Sequence, residues 1–159
     1  MPASTCKPVK TELRQALEAD LASVLPLVHA YHEFERIDSS EVERVSALRR
    51  LLAERSLGGI WLIYTDHRLA GYIALCRGFS IEFNGFDAFI DEFYLSPGFR
   101  GKGIGKAVLE AIKDEARKMD INAIHLEVAR DNKKARSLYK AAGFEAREKY
   151  VLMSAMLED

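Results

Sequence analysis

The residues with the clearest chemical purpose lie between Leu95 and Lys106. Gly101, Gly103 and Gly105 alternate there, and Arg100, Lys102 and Lys106 bring positive charge with no acid among them. Glycine has no Cβ, so backbone N–H groups in such a stretch can converge on an anion. The loop follows a strand-like run and opens a helix, whose first N–H groups are unpaired and whose dipole is positive at that end. A phosphate or pyrophosphate suits this combination. Neither common nucleotide fingerprint is complete. A Walker loop needs Gly where Arg100 stands and Ser or Thr where Ala107 stands. A Rossmann turn begun at Gly101 and Gly103 needs a third glycine, and Lys106 occupies that place.

The opposite charge lies just upstream. Ser80 to Leu95 holds Glu82, Asp87, Asp91 and Glu92 with no Lys or Arg. An anionic ligand and a cationic one would therefore meet oppositely charged walls. A carboxylate is also a sensible base for an amine, which must lose a proton before it can attack. Asp91 and Glu92 are neighbours, so a regular strand turns them to opposite faces. Phe89, Asp91 and Phe93 then share one side, and Ile90, Glu92 and Tyr94 the other. Alternation does not say which side faces a cleft. Asp87 reads as hairpin solvation, and the basic run of Arg130, Lys133, Lys134, Arg136 and Lys140 as a solvated helix face. Cys76 reads as a small buried hydrophobe with no partner His.

These residues need elements to hold them. A short strand is expected over Glu12 to Leu17. Val24, Leu27, Val28, Tyr31 and Phe34 recur at helical spacing, with Pro26 predicting a kink or a later start. Ser40 and Glu43 form a capping box that opens a second helix, stopped at Gly58-Gly59. Ile60–Tyr64 and Leu69–Phe79 read as strands joined by a tight turn near Asp66. Asn84-Gly85 marks a hairpin into a strand over Phe86–Leu95, stopped by Pro97-Gly98. A helix follows from Gly103 to Met119, then a strand over Ala123–Ala129, a helix over Asn132–Ala142 ended by Gly143, and a last strand over Ala146–Leu157. The order β-α-α-β-β-β-α-β-α-β implies an α/β fold with a mixed, mostly antiparallel sheet flanked by helices.

Composition sets the outer limits. The chain has 159 residues, 48% hydrophobic and 30% charged. That favours one domain, with residues 1–10 as a flexible arm and 11–159 as the folded unit. A net charge of -1 excludes a globally basic nucleic-acid binder. No apolar run approaches the ~18–20 residues of a membrane helix. The N-terminus lacks a signal-peptide core. Cys6 and Cys76 are the only cysteines. With no His at ligand spacing they suggest no metal site, no disulfide framework and a reducing, cytoplasmic setting.

Two blocks together carry a resemblance. Arg100-Gly101-Lys102-Gly103-Ile104-Gly105, preceded by Leu95-Ser96-Pro97, is similar to the acetyl-CoA loop Arg/Gln-x-x-Gly-x-Gly/Ala of the GNAT superfamily of N-acetyltransferases. Asn132, Ala135, Leu138-Tyr139 and Gly143-Phe144 resemble the family's second block, in the right order and spacing. The resemblance implies the GNAT fold and direct transfer of an acetyl group from acetyl-CoA to the primary amine of a small molecule or peptide. It implies that the loop Arg100 to Lys106 holds the pyrophosphate, that backbone at Phe93, Tyr94 and Leu95 meets pantetheine and polarises the thioester, and that Asn132 and Ala135 border the same arm. Tyr139 is then the acid that protonates the leaving thiolate. Asp91 or Glu92 is the base, with a lean to Asp91. Tyr31, His32 and Glu33, together with Glu82 and Asp91, border the acceptor, and family members are often homodimers. The alternatives are a non-catalytic CoA-binding sensor, or an enzyme using another acyl-CoA. Nucleic acid and membrane are not among the expected partners.

Overall fold

The structure, a computed structural model, describes residues 9–157. The elements are β1 (Thr11–Gln15), α1 (Leu21–Glu35), α2 (Glu41–Ala53), β2 (Gly58–Thr65), β3 (Arg68–Ser80), β4 (Gly85–Leu95), α3 (Ile104–Lys118), β5 (Ile121–His125) and α4 (Lys133–Ala141). The strands make one five-stranded sheet in sequence order. Neighbours from β1 to β4 are antiparallel, and β5 lies parallel to β4. The expected mixed, mostly antiparallel α/β architecture is what forms.

Period-two alternation assigns the two faces of the sheet. Ile60 and Leu62 of β2 join Tyr72 and Ala74 of β3 under Val24, Val28, Leu48 and Leu52 of α1 and α2. Trp61 and Ile63, one residue out of phase, join Ile73 and Leu75 under Val108, Leu109, Ile112 and Ala116 of α3. An apolar run buried on both faces is what a central strand requires. The Ser40–Glu43 capping box closes as expected: Glu43 N–H donates to Ser40 Oγ at 3.2 Å, and Ser40 N–H donates to Glu43 Oε2 at 2.6 Å. Asn84 and Gly85 take φ of 56° and 157° at the hairpin, and Gly143 ends α4 at φ 85°.

Three expectations change, and a fourth falls mostly outside the described residues. The strand expected over Ala146–Leu157 is absent. Strand propensity is realised only against a partner edge. Here the chain after α4 is drawn onto the surface by Arg147 on Glu82 and by Glu148 on Arg136, and it turns back at Arg147–Tyr150. The preceding strand covers Ile121–His125 and not Ala123–Ala129, because the chain leaves β4 after His125 and has nothing further to pair with. Helix α1 starts at Leu21 and runs through Pro26, losing only the bond that a proline N cannot make to Ala22. The arm expected over 1–10 lies, up to residue 8 and with Cys6, outside the described residues. Val9 packs against the α3-side core, and the Lys10 carbonyl accepts from Asp66 N–H at 3.1 Å.

Candidate active site

The early end of β5 creates the site. Its last pairing is His125 with Phe89, while β4 continues from Ile90 to Leu95. Over that stretch β4 has β3 on one side and no strand on the other, so its outward peptide groups are available to a ligand. The end of the slot is closed by a 3-10 turn at Pro97–Phe99 and by the loop into α3. Gly101 and Gly103 lie at φ 72° and 77°, and a Cβ added at either would enter open space. Gly103 is the N-cap of α3, so the first N–H groups of that helix point into the same space. These are the features a pyrophosphate-holding loop needs.

The loop's cations divide their work. Arg100 Nε donates to the Leu95 carbonyl at 2.7 Å, and its guanidinium lies 4.9 Å from the Phe34 ring and 5.3 Å from the Tyr94 ring. Lys102 Nζ donates to the Gly98 carbonyl at 2.9 Å. Both brace the loop. Lys106, exposed on the first turn of α3, has no such partner among the described residues and is the cation free for an anion.

The acids stand on an irregularity that strand alternation does not show. Ala74 pairs with Glu92 and Leu75 with Ile90, so Asp91 is the extra residue of a β-bulge. The bulge reverses the phase of β4. Ala88, Ile90, Phe93 and Leu95 pack on the α3 side, while Tyr94 packs with α1 and α2. The expected grouping of Ile90 with Tyr94, and of Phe93 apart from Ile90, is therefore corrected. Asp91 is thrown outward to solvent. Lost hydration raises its carboxyl above the ordinary range, Glu92 and Glu127 add to this, and His32 opposes it.

Glu92 is held quite differently. Its Oε2 accepts from Tyr72 Oη at 2.6 Å, and its Oε1 lies 2.5 Å from His32 Nε2. The His32 and Glu92 side chains are 12% and 17% exposed, whereas His29 and Glu33, 3.3 Å apart on the outer face of α1, are 52% and 71% exposed. Tyr31 stands edge-on to Tyr72 and Tyr94, with centroids 6.4 and 6.2 Å away. Burial raises the Tyr31 phenol, and Glu35, Glu92, Tyr139 and Asp91 add to this. Tyr139 of α4 packs at 5.9 Å against Phe144. Burial, then Glu35, raises its phenol, so it carries its proton at neutral pH.

The comparisons with known proteins bear on this geometry. A model described as the acetyltransferase (GNAT) family matches residues 23–144. The chain belongs to this family. GNAT members are acetyl-CoA-dependent acetyltransferases, and the matched span includes the slot, the glycine loop and α4. An uncharacterised N-acetyltransferase of Bacillus subtilis, YhfO, is 29% identical over 133 residues, covering 84% of this chain and 89% of that protein. Mouse thialysine N-epsilon-acetyltransferase is 24% identical over 148 residues, covering 84% and 83%. A predicted acetyltransferase of Clostridium acetobutylicum, crystallised with acetyl-CoA, shares the fold at TM-score 0.73 and 21% identity, covering 91% and 96%.

Within this GNAT frame the structure gathers Tyr31, His32, Asp91, Glu92 and Tyr139 around one mouth. It does not gather Glu33, which faces solvent beside His29, or Glu82. Glu82 pairs with Arg147 at 2.7 Å beyond the start of β4, some 20 Å along the strand from the bulge. Asn132 caps α4, its Oδ1 accepting from Ala135 N–H at 3.1 Å, which leaves its Nδ2 donors unused by the cap. Phe93 and Leu95 turn their side chains into the α3-side core and Tyr94 turns into the other; the Tyr94 carbonyl faces β3, so by alternation Phe93 and Leu95 direct their backbone groups toward the slot. Sequence reasoning missed Tyr72, Ser39 and Glu127. Tyr72 sits in a run legible only as core, and the other two lie in connections with no periodicity. Asp87 pairs with His125 at 3.4 Å, away from the acids at the bulge. No helix among the described residues is long and apolar enough to cross a membrane.

Proposed function

We propose that this GNAT chain moves the acetyl group of acetyl-CoA directly onto the primary amine of a small molecule or peptide. The observation that carries the reading is a coincidence of place: the β4 edge left free by β5, the open glycine loop at its end, and a pair of carboxylates on its wall. Acetyl-CoA supplies the activated thioester. The backbone from Gly101 to Gly105 and the charge of Lys106 suit its pyrophosphate, and the peptide groups of Phe93 to Leu95 suit its pantetheine arm.

Asp91 takes a proton from the acceptor nitrogen. It is outward, and loss of hydration raises its carboxyl above the ordinary range, the direction that makes a carboxylate a better base. A backbone N–H within Phe93–Leu95 donates to the thioester oxygen, where negative charge gathers as the amine attacks. The new C–N bond forms and the C–S bond breaks. Tyr139 Oη gives its proton to the departing sulfur and is re-protonated from solvent, to which Asp91 returns the proton it took. The name of the mouse relative supports a small amine as acceptor. A cytoplasmic setting is supported by the free Cys76 thiol, and a homodimer by exposed Val151, Leu152 and Met153 near the C-terminus.

The test is acetyl transfer measured against a panel of amines. Tyr139→Phe is expected to lower kcat by about 10²-fold, with KM for acetyl-CoA within about twofold of wild type. Wild-type turnover in that variant removes the acid role. A protein that binds acetyl-CoA and acetylates nothing in the panel removes the enzyme reading.

A further inference from the structure

The two carboxylates on β4 are adjacent in sequence, yet their surroundings give them separate tasks. Both oxygens of Glu92 are engaged, one with Tyr72 Oη at 2.6 Å and one with His32 Nε2 at 2.5 Å. A carboxylate that accepts a hydrogen bond on each oxygen is fixed in orientation. The far side of the imidazole is anchored too. His32 Nδ1 lies 2.8 Å from Ser39 Oγ, and Ser39 Oγ in turn accepts from Arg44 Nη1 at 3.2 Å. On the other side of the ring a carboxylate can only accept, so the hydrogen between His32 and Glu92 belongs to Nε2. The network thus aims an Nε2–H at Glu92 while Ser39 holds the opposite side of the ring. At 12% and 17% exposure the pair is little screened.

We propose that His32 is a positioning residue: braced by Ser39 of the α1–α2 connection, it locks Glu92 as a fixed anion that draws the acceptor's ammonium into place beside Asp91, which takes the proton. This rests on the amine-acetylation reading and divides the acid pair between binding and chemistry. An interaction made equally with bound substrate and transition state lowers KM without raising kcat. Loss of the lock should therefore show in KM for the amine. Loss of Asp91 should show in kcat.

The experiment uses the full chain, with whichever of thialysine, lysine and n-butylamine the wild type turns over. His32→Ala and Glu92→Gln are each expected to raise KM for that amine about tenfold, leaving KM for acetyl-CoA within about twofold. The double variant should be no worse than Glu92→Gln, since the two act as a unit. His32→Gln, whose amide N–H reaches as far as Nε2, should restore most of the affinity, and His32→Asn, which reaches only as far as Nδ1, should not. Multiplying losses in the double variant, or a wild-type KM for the amine in His32→Ala, overturns the proposal. A two-bond ¹⁵N–¹H spectrum of the wild type needs no acceptor and is indifferent to how the variants fold. An Nε2–H tautomer is expected, and an Nδ1–H tautomer overturns the lock. The expected tautomer in a protein that acetylates none of the three amines places the failure in the functional reading and removes the proposal with it.

Discussion

Asp91 is the extra residue of a bulge, and its position explains two properties at once. It reaches outward, where the proposed reading places the substrate, and the protein around it strips hydration from its charge. Its folded pKa lies above its unfolded one, so the folded chain holds the proton more tightly. Stability is therefore lost as pH rises through the interval between the two values. Asp91→Asn is expected to raise the melting temperature at pH 7.5 while lowering kcat by about 10²-fold. An unchanged kcat would pass the base role to Glu92. The acid limb of the wild-type kcat/KM profile should fall above the ordinary carboxylate range. Cys76 reports on the same pocket, because burial, then Asp91 and Glu92, push its thiol up to about 11. At pH 8 only about 0.1% is thiolate, the reactive form. Alkylation of Cys76 by iodoacetamide, followed by mass spectrometry, should be slow in the native protein and fast in guanidinium.

Among the elements, α3 and α4 meet the glycine loop in unlike ways, and two glycines separate them. Gly103 is left-handed at φ 77° with open space where a Cβ would stand. An alanine there strains the loop and would enter the space the proposed reading gives to the anion. Gly105 is helical, and a Cβ there would lie 3.0 Å from Leu138 Cδ2. A larger residue pushes α4 away, and Tyr139 is the next residue along that helix. Gly103→Ala is thus expected to raise KM for acetyl-CoA about tenfold with little change in kcat. Gly105→Val should instead lower kcat by displacing the acid. Steady-state kinetics with acetyl-CoA varied distinguishes the two. Equal effects on both parameters would mean that the glycines serve the loop alone.

For the molecule as a whole, stability and site share one sheet. The α3-side core joins Ile112 and Val108 to the strands on either side of the slot. Ile112→Ala removes a side chain that is 0% exposed. It should cost about 2–5 kcal/mol, read from urea unfolding. That is a large share of the roughly 5–15 kcal/mol expected for a domain. On the opposite face α1 and α2 cover β3 and β4 and bring Tyr31 and His32 to the acids, the side the proposed reading gives to the acceptor. In the proposed reading, cofactor and acceptor would approach from opposite layers and meet at the bulge, where β4 changes face.

What was legible in the sequence was what depends on local spacing. Alternating glycines before a helix, a capping box, the Asn84-Gly85 turn and helical stripes all act over a few residues, so their physics is written in order along the chain. The family resemblance drew on the same short blocks, and it named Tyr139 and the loop. The near-zero net charge was already visible as an acidic stretch followed by a basic one. Tertiary structure alone decided the rest. Whether Asp91 and Glu92 face one way or two depends on a bulge set by the register of β3. Which acidic residue beside His32 matters depends on burial, and Glu33 turned outward while the distant Glu92 came within 2.5 Å of the imidazole. The final apolar run did not become a strand, because a strand needs an edge and sequence cannot say where the nearest edge lies. The slot itself is the gap left where β5 stops pairing, and no residue in the chain encodes it alone.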